Sequence, residues 1–433
     1  MKKKKIVYVG FSADILHSGH INLLRIAHKY GNVIVGLLTD KAISRYKKLP
    51  HLNYNQRFEV IKNIKFVKKV IPQNTLSYLD NLKKIKPDIV VHGDDWKEGV
   101  QKKTRNEVIR YLKKTKGKLV EPGYTAGISS SIIKKKINSI GISSDTRKEK
   151  LKRLIEAKDL VRVIEAHNPL SGIIAELTSV KKDGVEREFD AIWSSSLTDS
   201  TVRGKPDNQS VDYATRLMGQ NEILEVTNKP IIFDGDNGGR IEHLPFMIRS
   251  LERLGVSAVV LEDKKGLKKN SLFVSQNQSN QDSISSFRKK IITAKKATVS
   301  DDFLVIARIE SLIFSKGVDD ALKRAISYSK AGADCIFISC KEKNPKEIFE
   351  FSKKFQKSDY FKPLVAVPST YSKTYEKVLI KNGFRIVIYA NQLLRSSYPA
   401  MKKCAEQILK NQRSFEAEKN LISIKEILTL IKH

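Results

Sequence analysis

With 433 residues, 40% of them hydrophobic and 29% charged, the chain has room for two or three globular domains and is too apolar to be disordered. Three cysteines (Cys335, Cys340, Cys404) supply neither a disulfide framework nor zinc-ligand spacing, and no run reaches the roughly 18 apolar residues of a membrane span. A net charge of +33 invites nucleic acid or small anions, but the lysines are spread along the whole chain with no zinc-finger, aromatic RNA-binding or basic-heptad pattern. The expectation is a cytoplasmic protein without a membrane partner, for which nucleic acid is the remote reading.

Residues 1–141 alternate strand and helix. Apolar runs at Ile6–Val9, Asn32–Thr39, Val67–Pro72, Ile89–His92 and Lys118–Glu121 are separated by helical patterns near His20–Tyr30, Gln56–Ile64, Leu76–Ile85, Arg105–Lys113 and Ser130–Ile137. Such alternation predicts an α/β domain with an open parallel sheet wound on both faces, Rossmann-like, whose ligands sit at the carboxyl ends of the strands. The first strand runs into Gly10-Phe-Ser12-Ala-Asp-Ile-Leu-His17-Ser-Gly19-His20 just before a helix. Two imidazoles where backbone N–H groups and the helix dipole already favour phosphate can donate to a triphosphate as charge develops.

This half resembles the HxGH cytidylyltransferases, on His17–His20, Leu38-Thr-Asp40, Arg57, Gly93-Asp94-Asp-Trp96 and Thr125-Ala-Gly-Ile-Ser129-Ser130. The resemblance implies that His17 and His20 act on the phosphates and that Gly10 and Ser12 lie beside the nucleotide. It likewise implies that Lys48 reaches the triphosphate or acceptor, that Asp94 and Trp96 shape the base pocket, and that Thr125, Ser129 and Ser130 hold phosphate oxygens. The first loop is one residue longer than the usual family loop, and Tyr124 stands where the family often has arginine. The acceptor is thereby left open.

A polar stretch over residues 142–152 reads as a linker into the helix Lys148–Ala157. Across residues 153–433, eight β-like runs starting near Leu160, Asp190, Pro230, Val256, Phe303, Asp334, Lys362 and Arg385 alternate with helical patterns. That count and length predict a (β/α)8 barrel of about 250 residues, with a doubly wound sheet as the alternative. Five successive strands end in polar groups: Glu165-Ala-His167-Asn168, Trp193-Ser-Ser195, Asp234-Gly-Asp236, Glu262-Asp263 and Arg308-Ile-Glu310. Carboxylates of this kind suit a hard divalent cation such as Mg²⁺, and Arg308 offers a fork for an anionic substrate.

The stretch Glu262-Asp-Lys-Lys-Gly-Leu-Lys268-Lys-Asn270-Ser271 resembles the signature of the phosphoenolpyruvate mutases, within the isocitrate lyase superfamily. By that resemblance Trp193, Ser195 and Leu197 line the substrate carboxylate, and Asp207, Asp234, Asp236 and Glu262 make the magnesium site. Lys268, Asn270 and Ser271 belong to a gating loop, with Asn270 touching the phosphoryl group and Arg308 holding substrate. The lyase branch needs a loop cysteine, and none precedes Cys335; Ser339 stands where mutases carry a histidine. The run Ser275–Ser283 is expected to be an exposed loop.

Together the two resemblances imply a bifunctional phosphonate-biosynthesis enzyme of the fosfomycin type. One half would interconvert phosphoenolpyruvate and phosphonopyruvate, and the other would transfer CMP from CTP to a small phosphonate. The barrel family also implies a dimer or tetramer built through the terminal helices. The alternatives are a phosphonopyruvate hydrolase or inactive barrel, an adenylyltransferase, and a non-catalytic nucleic-acid binder.

Overall fold

The computed structural model describes residues 4–123, 144–182, 185–266, 268–272 and 280–431. Thr125, Ser129 and Ser130 therefore lie outside the described residues, as do the predicted helix Ser130–Ile137 and residues 142–143.

The amino-terminal strands are β1 (Ile6–Phe11), β2 (Asn32–Leu38), β3 (Val67–Gln73), β4 (Ile89–Val91) and β5 (Lys118–Val120). They form one parallel sheet in the order β3-β2-β1-β4-β5. Both faces of β1 are buried because the strand is apolar at every position: Val7 and Val9 pack with Leu24 and Val35, whereas Tyr8 packs oppositely with Leu82 and Leu112. The strand order reverses beside β1, which opens a crevice between the carboxyl ends of β1 and β4.

The second unit is a closed barrel. Its strands are β6 (Val161–Glu165), β9 (Ala191–Ser194), β10 (Ile231–Asp234), β11 (Ala258–Glu262), β12 (Leu304–Ile309), β13 (Cys335–Ile338), β14 (Leu364–Ala366) and β15 (Phe384–Tyr389). Each begins within two residues of its sequence expectation, and the closure excludes the doubly wound alternative for this half. Between β6 and β9 the chain adds an antiparallel hairpin, β7 (Ser179–Lys182) and β8 (Val185–Glu188), that sequence reading missed.

The helix Ser144–Ala157 turns Leu151, Leu154 and Ile155 into the barrel interior, where they join Val161, Ala258 and Ile306. This plug closes the amino-terminal end of the strands. The amino-terminal sheet domain docks on that closed end: Ser44 Oγ donates to the Ala157 carbonyl at 2.7 Å, and Lys48 pairs with Glu188 at 2.7 Å. The open, carboxyl-terminal end of the barrel faces away from it.

At the far carboxyl end, the helix Gln392–Asn411 buries none of its side chains, and Tyr398, Met401 and Leu409 stay exposed. Among the described residues no helix is long and apolar enough to cross a membrane.

Candidate active sites

The crevice of the sheet domain is a cavity of ≈ 240 Å³ lined by Gly10, Ser12, His17, His20, Lys47 and His92, among others. His17 caps the helix Ser18–Tyr30. Its Nδ1 accepts from the Gly19 N–H at 3.2 Å, and the Nδ1 of His20 accepts from the His17 N–H at 3.4 Å. With each Nδ1 an acceptor, each neutral imidazole carries its proton on Nε2. The rings lie 3.9 Å apart, and His20 packs edge-on to Phe11. Burial pushes the pKa of both down; for His20, neighbouring His17 and Lys47 add to it, against Asp14, and the value falls to about 4. The crevice thus presents two neutral N–H donors. Gly10 is required at its floor, since a Cβ there would stand 2.0 Å from the Tyr78 ring.

Three expected residues fall elsewhere. Lys48 points away into the seam with the barrel and pairs with Glu188; its neighbour Lys47 lines the cavity and donates to Ser12 Oγ at 3.2 Å. Asp94 is displaced in favour of Asp95. Trp96 is fully buried behind the cavity, where its ring stacks on His92 at 3.9 Å and its N–H donates to Glu121 at 2.6 Å. Trp96 thus shapes the pocket from behind, by backing Tyr78 and His92; His92, just after β4, is a wall residue that sequence reading missed.

The open end of the barrel holds a second cavity, of ≈ 90 Å³. Trp193, Ser195, Leu197, Asp207, Asp234 and Glu262 line it together with Lys268, Asn270, Ser271, Arg308 and Ser339. All were named from sequence. Asp236 alone of the expected set does not line it, because Lys268 covers its carboxylate. Asp236 sits in the left-handed region at φ 51°, and Gly235 before it is pressed so close to β11 that a Cβ would meet the Val260 carbonyl at 2.9 Å. This turn aims Asp234 and Asp236 inward together.

Lys268 bonds Asp207 at 2.8 Å and also reaches Asp236 and Ser196. Burial by itself would favour the free amine, but Asp236, Asp234, Asp207 and Glu262 hold it protonated. Asn270 donates to the other oxygen of Asp207 at 2.8 Å, so Lys268 and Asn270 of this loop are tied to one carboxylate. Ser196, between Asp234 and Lys268, and Arg216, which donates to Asp199 and to the Asp234 carbonyl, were not foreseen.

Glu310 organises the opposite wall. Its carboxylate accepts from Arg308 at 2.6 Å, Ser271 at 2.6 Å and Ser339 at 2.5 Å, while Lys264 stands 3.3 Å away. Burial would raise its pKa, but Arg308 and Lys264 outweigh this and bring it down to about 2. Ser339, in the place where the resemblance implies histidine, is thus bonded within the Arg308–Glu310 pair. The strand-end Glu165 accepts from His167 and the Leu394 N–H and lines neither of the two cavities, and Asp263 is turned back to Arg324 and Tyr328. Gln281 and Asp282, at the end of the run expected to be exposed, are buried, with Gln281 donating to Asp263; residues 273–279 lie outside the described residues.

Among the described residues no three carboxylates or imidazoles converge in metal-ligand geometry. The donor set nevertheless fits a hard cation. Glu262 is buried with its pKa raised by that burial, and its Oε1 has no hydrogen-bond partner. An orphaned carboxylate oxygen beside Asp234 is the kind of group that a divalent ion satisfies.

Residues 151–409 match the phosphoenolpyruvate phosphomutase family, which is more than half of the chain. The chain belongs to that family. Residues 8–136 match the cytidylyltransferase-like family, so a CTP-transferase-like domain precedes the mutase-family barrel. The phosphoenolpyruvate phosphomutase of Tetrahymena pyriformis is 34% identical over 66% of this chain and 92% of its own. A phosphonopyruvate hydrolase from Variovorax sp. is 32% identical over 66% and 94%. Among solved structures, the phosphoenolpyruvate phosphomutase of Streptomyces platensis subsp. rosaceus superposes with a TM-score of 0.60 at 33% identity, covering 65% of this chain and 94% of that one. A phosphonopyruvate hydrolase bound to oxalate and Mg²⁺ gives 0.58 at 30%, covering 66% and 94%.

The buried imidazole pair has a measurable consequence. A histidine ordinarily titrates near 6.5. Histidine ring NMR across a pH series of the ligand-free protein should place the His20 midpoint near 4. Because the folded pKa lies below the unfolded one, the associated stability is present above pH ~6.5 and is lost as the pH falls toward 4. A His20 midpoint near 6.5 would contradict the neutral-donor geometry.

Proposed function

We propose that the barrel interconverts phosphoenolpyruvate and 3-phosphonopyruvate, and that the amino-terminal domain transfers CMP from CTP to a small phosphonate with release of pyrophosphate. The observation that carries the barrel reading is the meeting of Lys268, Asn270 and Ser271 with Asp207 and Arg308 in one cavity, with the buried Glu310 carboxylate holding Arg308 and Ser271 from behind. In this reading Trp193, Ser195 and Leu197 bound the substrate carboxylate. Arg308, held by Glu310, Ser271 and Ser339, presents a fixed fork to the migrating phosphoryl group, and Asn270 stays beside it in transit. Asp234, Asp236 and Glu262, with Asp207, would hold Mg²⁺. When bound, that ion would neutralise negative charge on the substrate oxygens. The loop keeps water from the phosphoryl group between its departure from one atom and its capture by the other.

In the amino-terminal domain, His17 and His20 turn their Nε2–H donors toward the phosphates, and Lys47 adds a charge across the cavity. A phosphonate oxygen attacks the α-phosphorus of CTP in line, the bond to the β-phosphate oxygen breaks, and pyrophosphate leaves. The donors gain strength as negative charge builds on the phosphate oxygens.

Hydrolysis of phosphonopyruvate is the second reading. The similar Variovorax hydrolase supports it, and so does Ser339, whose hydroxyl supplies no positive charge where mutases carry histidine.

Two substitutions separate the activities. Asp236→Ala should lower barrel turnover by about 10²-fold or more, on the scale of losing one preorganised charge, and leave pyrophosphate release from CTP intact. His17→Ala should do the reverse. If either change removed both activities from a folded protein, the two-site account would fail.

We also read the uncovered carboxyl-terminal helix as a contact between copies, giving a homo-oligomer. Light scattering should report a dimer or tetramer, and Met401→Glu with Leu409→Glu should shift it to monomer. A monomeric parent protein would contradict this.

A further inference from the structure

The segment between the helices Asp40–Ser44 and Tyr54–Lys62 has two faces. Tyr46 and Lys47 line the amino-terminal cavity, whereas Lys48, Leu49, Pro50 and His51 line a separate ≈ 110 Å³ cavity in the seam with the barrel. On the seam side the segment is held almost wholly by the barrel unit. Lys48 pairs with Glu188 at 2.7 Å, and Leu49 packs against the cluster that plugs the barrel. Arg153 then donates to the Pro50 carbonyl at 2.8 Å, to the His51 carbonyl at 2.9 Å and to Asp40 at 3.3 Å.

Arg153 is one link from the phosphate-facing loop. Asp40, which it touches, also accepts from the fully buried Arg57 at 2.6 Å, and Arg57 donates to the Ser12 carbonyl at 2.5 Å and the Leu52 carbonyl at 3.2 Å. The His51 N–H donates to Asp14 at 2.5 Å, two residues beyond Ser12. Arg153 is itself rigidly placed, since Leu151, Leu154 and Ile155 on the same helix are buried in the barrel core.

We propose that Arg153 is a positioning residue for nucleotidyl transfer, through which the barrel's plug helix sets the Ser12–His17 loop and Lys47 facing the nucleotide. It touches no substrate. A guanidinium is suited to the task because its rigid fork reaches two backbone carbonyls and a carboxylate at once, which a lysine ammonium on a flexible stem does not reproduce. The amino-terminal reaction thereby depends on the barrel being folded, although the two candidate cavities share no residue. The proposal rests on reading the amino-terminal domain as a nucleotidyltransferase.

The test compares full-length parent, Arg153→Ala, Arg153→Lys and Glu188→Gln proteins by three measurements: pyrophosphate release from CTP, barrel turnover, and amide hydrogen exchange. Arg153→Ala should lower kcat/KM for transfer about tenfold, mostly through kcat, as misplacement of a remote support does. Arg153→Lys should recover part of it, and barrel turnover should stay unchanged in both. Exchange should quicken across residues 12–17 and 45–52. Glu188→Gln, which loosens the Lys48 tether across the seam together with the Lys229 contact inside the barrel unit, should lower transfer in the same direction by about threefold and decides the matter if Arg153→Ala does not fold. Unchanged transfer in a folded Arg153→Ala or Glu188→Gln protein, or quickened exchange confined to Ser144–Ala157, would overturn the proposal. If the parent itself releases no pyrophosphate, the nucleotidyltransferase reading fails instead, and the exchange measurement still decides whether Arg153 sets the loop.

Discussion

Negative charge at the mouth of the barrel is the constraint on which the rest of that site depends. Asp207, Asp234, Asp236, Glu262 and Glu310 converge in a largely water-excluded space, and so many carboxylates cannot be buried without compensating cations. The chain supplies these from different elements: Arg308 from β12, Arg216 from the helix Tyr213–Val226, and Lys264 and Lys268 from the loop after β11. Lys268 links charge to geometry. Its ammonium can neutralise Asp207 and Asp236 only when the loop lies over the cavity, so loop position and charge balance are one event. A bound Mg²⁺ and an anionic substrate would alter that balance, and with it the hold on the loop.

Much of this was legible in the sequence because strand ends are the one place where chain position dictates spatial position. Parallel strands closed into a barrel put every carboxyl terminus at one mouth, so Trp193, Asp234, Glu262 and Arg308 had to meet. Irregular segments carry no such rule. Within Lys47-Lys48 nothing in the sequence says which lysine faces the nucleotide crevice, since a loop has no period. The tertiary partner Glu188 decides it, 140 residues away. Asp94 and Asp95 both lie in the short 3-10 turn Asp94–Lys97, and its tertiary placement, not its sequence, puts Asp95 on the cavity. Trp96 is a different case: its ring is too large and apolar to leave exposed, and its indole N–H found a half-buried acceptor in Glu121. Arg216 lay inside a helical pattern, where an arginine reads as surface. The missed hairpin had a signal in Asp183-Gly184 between Ser179–Lys182 and Val185–Glu188, but its strands are polar on both faces and lack the apolar alternation that marks a strand.

The two units meet at the closed end of the barrel, and their cavities open elsewhere. The plug helix Ser144–Ala157 fills the barrel floor with Leu151, Leu154 and Ile155 and also carries contacts to the preceding domain, through Arg153 and the Ala157 carbonyl. What the seam transmits is position, through Arg153 and Lys48.

In the proposed reaction the barrel moves a phosphoryl group between oxygen and carbon with Ser339 in its wall. ³¹P NMR of the purified full-length protein with phosphonopyruvate and Mg²⁺ tests it most directly. Loss of the phosphonate resonance with growth of phosphoenolpyruvate is the expected result. Growth of inorganic phosphate instead, or an unchanged spectrum, would contradict it.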